Sequence, residues 1–122
     1  MPSRQTVQQF IALVEQAKYV EAIEQFYAPH ASMQENSQPP RQGRDKLVAH
    51  ERSVITTFAQ MRTLPVDSCL IDGDLVVIHW VFEFTRASGR VVRIDELTHQ
   101  RWEGEQIVEE RFFYDTAAMA AG

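Results

Sequence analysis

A chain of 122 residues fits one domain and leaves little room for a second hydrophobic core, because domains cluster at about 100–150 residues. Hydrophobic residues make up 44% and charged residues 24%, with five Gly and five Pro, a globular composition that excludes disordered and fibrous classes. Twelve basic against seventeen acidic side chains give a net charge of −5, and the absence of any Lys/Arg run argues against nucleic acid and anionic membranes as partners.

One domain over residues 1–122 is therefore expected. The opening residues hold no apolar stretch of signal length, and no window reaches the roughly 18 apolar residues of a spanning helix, so a cytoplasmic location is expected. Cys69 is the only cysteine, which rules out an internal disulfide. Its expected role is packing, since a nucleophilic thiolate would need a partner base.

Val7, Phe10, Ile11, Val14 and Ala17 recur at helical spacing after candidate caps at Ser3 or Thr6, which predicts a first helix. A second, short helix carries Ile23, Phe26 and Tyr27 and ends at Pro29, followed by a short strand over Ala31–Glu35. Pro39, Pro40 and Gly43 mark the next stretch as a loop. A third helix starts at Arg44, with Leu47, His50, Val54, Phe58 and Met61 on one stripe until Leu64-Pro65 breaks it.

Beyond Val66 the period changes to two, which predicts strands near 66–71, 75–85, 91–102 and 106–114 in an antiparallel meander. Helices followed by a run of strands define an α+β class: three N-terminal helices packed on a strongly curved antiparallel sheet, a cone-shaped α+β barrel enclosing a pocket. A three-residue loop with Gly89 left-handed pairs Arg86 with Arg90. Trp80 then opposes Glu96, Ile78 opposes Thr98 and Phe82 opposes Ile94 on one inner face, with Glu83 and Arg93 outside. A three-residue loop at Glu103–Glu105 places Glu110 beside Thr98, Phe112 beside Glu96 and Tyr114 beside Ile94. A two-residue loop would flip the parity of one strand against the other.

Several segments, in this order, resemble the nuclear transport factor 2-like superfamily, which includes ketosteroid isomerases and SnoaL-like polyketide cyclases. They are Phe10-Ile11-Ala12-Leu13-Val14, the run from Phe26 to Glu35, Arg41-Gln42-Gly43, and Thr98-His99-Gln100-Arg101-Trp102. The resemblance implies a pocket in which a carboxylate base moves a proton while a tyrosine and a protonated aspartic acid donate hydrogen bonds to an enolate oxygen. The base position falls on Glu35, or on Gln34 in an ungapped reading. The two donor positions fall on Phe10 and Thr98, which cannot replace them. Losing one oxyanion donor costs about 2.7–4 kcal/mol, so efficient ketosteroid isomerisation is not expected.

His50 and Tyr114 are candidate replacement donors, and Glu35, His50 and Glu110 form the candidate catalytic set for general acid/base chemistry on a small apolar carbonyl compound. Phe10, Val14, Trp80, Phe82, Glu96 and Thr98 are candidate ligand contacts, with Phe112 and Tyr114. The ordinary alternatives are a core wall for the aromatic residues, a core histidine for His50 and paired carboxylates for Glu96 and Glu110. The four histidines (His30, His50, His79, His99) lack paired ligand spacing, so no metal and no cofactor is expected. A catalyst of isomerase or cyclase type, a non-catalytic small-ligand-binding module and an assembly module all remain open. The outer-face row Val77, His79, Val81, Leu97 and His99 favours a homodimer in each case.

Overall fold

The computed structural model describes residues 1–120. Helix α1 (Arg4–Glu15) is capped by Ser3, whose hydroxyl accepts from the Thr6 amide at 3.1 Å, and it buries Val7, Phe10 and Val14. Ala17 lies past the helix rather than on its stripe. Lys18 N–H donates to Leu13 O at 2.9 Å and Ala17 N–H to Val14 O at 3.0 Å, a Schellman-type turn that leaves Ala17 at φ 61, where glycine is usual. Helix α2 (Tyr19–Phe26) buries Tyr19, Ala22, Ile23 and Phe26.

Strand β1 (Tyr27–Glu35) begins earlier than expected and contains Pro29, which does not end the helix. The β1 ladder is interrupted between Tyr27 and Ser32, so a residue without an N–H is tolerated there. Strand β2 (Arg41–Gln42) pairs with Ser32 and Met33, and α3 (Arg44–Thr57) follows Gly43.

Helix α3 stops short of Phe58 and Met61, contrary to the helical reading. The hydroxyls of Thr56 and Thr57 both donate to Ser53 O, at 2.8 and 2.9 Å, local bonds that compete with continued helix. Phe58 is extended at φ −111 and ψ 147, and Gln60–Thr63 form an unexpected strand β3 whose Met61 and Thr63 pair with Phe84 and Phe82. Cross-strand pairing there overrides the three-to-four spacing.

The remaining elements are β4 (Cys69–Asp72), β5 (Leu75–Thr85), β6 (Val91–Glu103), β7 (Gln106–Tyr114) and α4 (Ala117–Ala120). The sheet runs β2-β1-β7-β6-β5-β3, with β4 also on β5. It is curved but open, not a closed barrel, and mixed rather than antiparallel, because β1 and β7 run parallel. A parallel pairing needs a crossover between distant segments, and strand periodicity carries no sign of it.

The β5–β6 register is the expected one: Trp80 opposes Glu96 and Ile78 opposes Thr98, and Arg86 N–H donates to Arg90 O at 2.8 Å with Gly89 at φ 89. The β6–β7 register is corrected. A two-residue turn pairs Glu103 with Gln106, and a bulge at Val108 follows, since Trp102 opposes Ile107 while Arg101 opposes Glu109. The shorter turn flips the parity and the bulge flips it back. Glu110 therefore opposes Gln100, Phe112 opposes Thr98 and Tyr114 opposes Glu96, each two residues from its expected place but on the expected face.

Thr98, Gln100, Trp102 and Glu110 are buried on that inner face, against which α1 and α2 close the core. Phe10 is its hub, edge-on to Phe26, Trp80 and Trp102 with centroids 5.7, 6.2 and 6.1 Å away, contacts worth about 0.5–1.5 kcal/mol each beyond burial. Outside, Arg93 pairs with Glu83 at 3.5 Å, and His79 lies between Asp67 (2.8 Å) and Asp95 (2.6 Å). Cys69 is half-buried, and burial pushes its thiol pKa up, away from a nucleophilic thiolate. Among the described residues no helix is long and apolar enough to cross a membrane.

Candidate small-molecule cavity

A cavity of about 190 Å³ opens between the helices and the inner sheet face. Alternation along β1 turns Ala31, Met33 and Glu35 inward, while the Gln34 amide donates to Gln38 O at 3.0 Å. Of the two base positions, it is therefore Glu35 that lines the cavity. Its Oε1 lies 3.8 Å from Arg41 Nη1 and 4.0 Å from His50 Nε2, and all three side chains are about one-third exposed, which places them at the mouth. The pKa of His50 is lowered, first by burial and then by the Arg41 charge, with Glu35 opposing.

Deeper in, Glu110 is fully enclosed. Tyr27 donates its hydroxyl to Glu110 Oε1, and the Gln100 amide donates to Oε2 at 2.5 Å. Gln100 cannot flip freely, because its Oε1 accepts from the Trp102 indole N–H at 3.0 Å and an indole only donates. Burial raises the Glu110 pKa to about 7 against the lowering effect of both donors. The Tyr27 pKa is raised well above its usual value, by burial first and then by the Glu110 charge, so this phenol stays a donor.

Glu96, on β6, is buried to 9% exposure. Its one hydrogen bond among the described residues is a long one from the Thr98 hydroxyl, 3.4 Å to Oε1. Burial, then the Glu110 charge, lifts its pKa to about 8. Glu51, on α3, reaches about 7 through burial and then the Glu35 charge. Tyr114, also in the wall, is raised by burial and by Glu35 and Glu96.

Glu35, His50 and Glu110 thus share one cavity with Phe10, Val14, Trp80 and Phe82. Glu96, Phe112 and Tyr114 join them. Thr98 does not reach the wall. It is fully buried, between the larger Ile78 and Phe112 in its cross-strand row. The sequence reading missed Glu51, Tyr27 and Gln100. For Glu51 the signal was present, since Leu47, His50, Glu51 and Val54 together complete an i, i+3, i+4, i+7 stripe. Gln100 shares the even parity of Glu96, Thr98 and Trp102 on β6.

An open, curved α+β sheet with helices closing one face over a cavity is a small-molecule pocket architecture. Residues 7–110 match the SnoaL-like domain family, and the chain belongs to it. Among solved structures it is similar to an NTF2-like protein of unknown function from Burkholderia pseudomallei K96243, at TM-score 0.81 and 22% identity over 94% of this chain and 92% of that one. It is also similar to TerC, crystallised with polyporic acid (0.80, 16%, 94% and 92%). A third is a ketosteroid isomerase-like fold protein from Catenulispora acidiphila DSM 44928 in complex with trimethylamine (0.80, 14%, 95% and 89%). At these identities the likeness concerns the fold. No curated protein matches the chain.

Proposed function

We propose that the chain is a cofactor-independent acid/base enzyme of the isomerase or cyclase kind, acting on a small apolar carbonyl compound. The observation that supports this most is the placement of Glu35, faced by His50 and Arg41, at the mouth of a cavity walled by aromatic rings. Glu35 takes the proton from the carbon next to the carbonyl, and the C–H electron pair moves into the carbonyl to leave an enolate. The His50 N–H and the Tyr114 hydroxyl donate to the enolate oxygen. The proton then returns from Glu35 to another carbon, or the enolate carbon attacks a second carbonyl, closes a ring and leaves an alkoxide that takes the proton from Glu35. Glu110 supplies a deep exchangeable proton, held in place by Tyr27 and Gln100.

Size supports a small substrate: an enclosed space of about 150 Å³ holds one benzene ring, and this cavity measures about 190 Å³. Steroid isomerisation stays near background on this reading, since the donor positions carry Phe10 and Thr98. The test is α-proton exchange of a panel of one-ring aryl ketones in D₂O, followed by NMR. Glu35→Gln should reduce exchange at least a hundredfold while the ligand-induced thermal shift persists, because the amide keeps shape and removes basicity. Unchanged exchange in the variant refutes the base assignment, and binding without exchange in the parent makes the chain a binding module. Exposed Leu97 and Phe113, paired on the outer sheet face, support a homodimer through that face.

A further inference from the structure

Four carboxyl groups enter the cavity, and two of them have basic or polar protein partners that account for their charge. Glu35 faces Arg41 and His50, and Glu110 accepts from Tyr27 and Gln100. The other two are left over. Glu51, on the helical wall, has no hydrogen bond or ion pair among the described residues. Glu96, on the sheet wall, has among the described residues only the long hydrogen bond from Thr98. The Glu51 charge is felt at Glu96. The basic side chains of the wall are Arg41 and His50, and both face Glu35 at the mouth.

Burying a carboxyl group without a partner costs several kcal/mol if it is ionised, and an apolar pocket for a neutral ligand would be served as well by Leu or Gln at both positions. On the sheet wall beside Glu96, Trp80, Phe82 and Phe84 form a stacked row with centroids 5.8 and 5.6 Å apart, an apolar surface that carries no charge of its own. Such a wall keeps water from a bound ammonium group, and an ammonium shielded from water is attracted to a carboxylate more strongly than one in solution. We propose that the cavity binds a small apolar compound carrying a protonated amine, with Glu51 and Glu96 as its charge partners and the stacked rings as its wall. Joined to the acid/base reading above, on which this narrowing rests, the substrate class becomes amine-bearing carbonyl compounds. Ammonium recognition in itself requires only the cavity.

The carboxyls are held partly protonated near neutral pH, Glu51 at about 7 and Glu96 at about 8. The groups facing them are Glu35 from β1, Glu110 and Tyr114 from β7, Tyr19 from α2, Tyr27 from β1, and Arg41 and His50 at the mouth. A bound cation favours their ionised forms, so binding near pH 7 should release protons. A neutral ligand of the same size should release none.

The experiment compares benzylammonium with benzyl alcohol, which match in size and differ in charge, by isothermal titration calorimetry of the full chain at pH 7 in buffers of different ionisation enthalpy. Benzylammonium should bind at least tenfold more tightly, with up to one proton released per ligand. Glu51→Gln and Glu96→Gln should each lower its affinity about tenfold relative to any change for benzyl alcohol, so that the preference for the amine falls. Equal affinities, no binding of either compound, or a preference for the amine that survives both substitutions overturns the proposal. Circular dichroism of each variant separates lost binding from lost folding. Amine binding without α-proton exchange in any ketone leaves this inference standing and the acid/base reading refuted; exchange of neutral ketones with no amine preference does the reverse.

Discussion

Replacing Glu96 by Gln should reverse the effect of pH on the stability difference between variant and parent. In the folded protein the Glu96 pKa is about 8 against an ordinary value of 4.5. The gap of about 3.5, at about 1.4 kcal/mol per unit, makes the ionised carboxylate cost the fold on the order of 5 kcal/mol. The sign follows from proton binding. Between about pH 4.5 and 8 the folded chain holds this proton and the unfolded chain has lost it, so the parent is most stable below that window and loses stability as pH rises through it. Gln carries no charge at any pH, but its amide brings N–H groups to a position whose hydrogen bond comes from a donor, the Thr98 hydroxyl, at a cost of about 1–3 kcal/mol. At pH 5 the parent has already lost about 0.8 kcal/mol, so the variant should be less stable than the parent by up to about 2 kcal/mol there and more stable by about 2–4 kcal/mol at pH 9. Urea unfolding at fixed protein concentration from pH 5 to 9 reads this directly. A difference that stays constant to within about 0.5 kcal/mol across the range would mean that Glu96 titrates in the folded state as it does in water, and the account of the cavity as a desolvated site would fail.

Tyr27→Phe removes a donor from enclosed Glu110 and should cost about 1–3 kcal/mol. That hydrogen bond lowers the Glu110 pKa of about 7, so the loss should be larger at pH 8.5 than at pH 5.5; an equal loss at both would place the effect in packing instead. Ala17→Gly relieves a left-handed alanine at φ 61, worth about 1–2 kcal/mol, against about 0.4–1 kcal/mol of added unfolded-chain entropy. The urea midpoint should rise with an unchanged slope, and a fall refutes the strain argument. Phe113→Asp on the outer sheet face should convert a dimer to the monomer mass in light scattering, and a parent already of monomer mass at micromolar concentration removes the proposed interface.

Local patterns carried most of the fold. Ser3, the apolar stripe of α1 and the Gly89 loop each act over a few residues, and the β5–β6 pairing followed from that loop alone. The misreadings arose where two distant or competing causes met. Phe58 and Met61 continue a helical stripe, and only the pairing of Met61 with Phe84 shows why they are extended. Tyr27 sits at helical spacing from Ile23, but the parallel pairing with Ile107 takes it into a strand. The site was legible to the degree that parity was: Glu35, Glu96 and Glu110 reached the cavity because each strand keeps a period of two. The Val108 bulge preserved that outcome by compensating for a turn shorter than expected. Thr98 shows where parity stops, since facing inward does not give a short side chain access to the cavity when its row neighbours are larger.

The parallel pairing of β1 with β7 has a consequence for the order in which the protein assembles. Met33 meets Glu110 and Glu35 meets Phe112 across this seam, so the cavity is closed by contacts between residues nearly eighty positions apart. Contacts of such sequence separation must overcome most of the loop-closure entropy before they return any energy, and they slow folding. On a ribosome the hairpin partners β5 and β6 emerge before β7, and until residue 114 is out the long β6 edge that β7 will pair has no partner. That unpaired strand edge is, for the interval, a place where another chain could add wrongly and a chaperone would help.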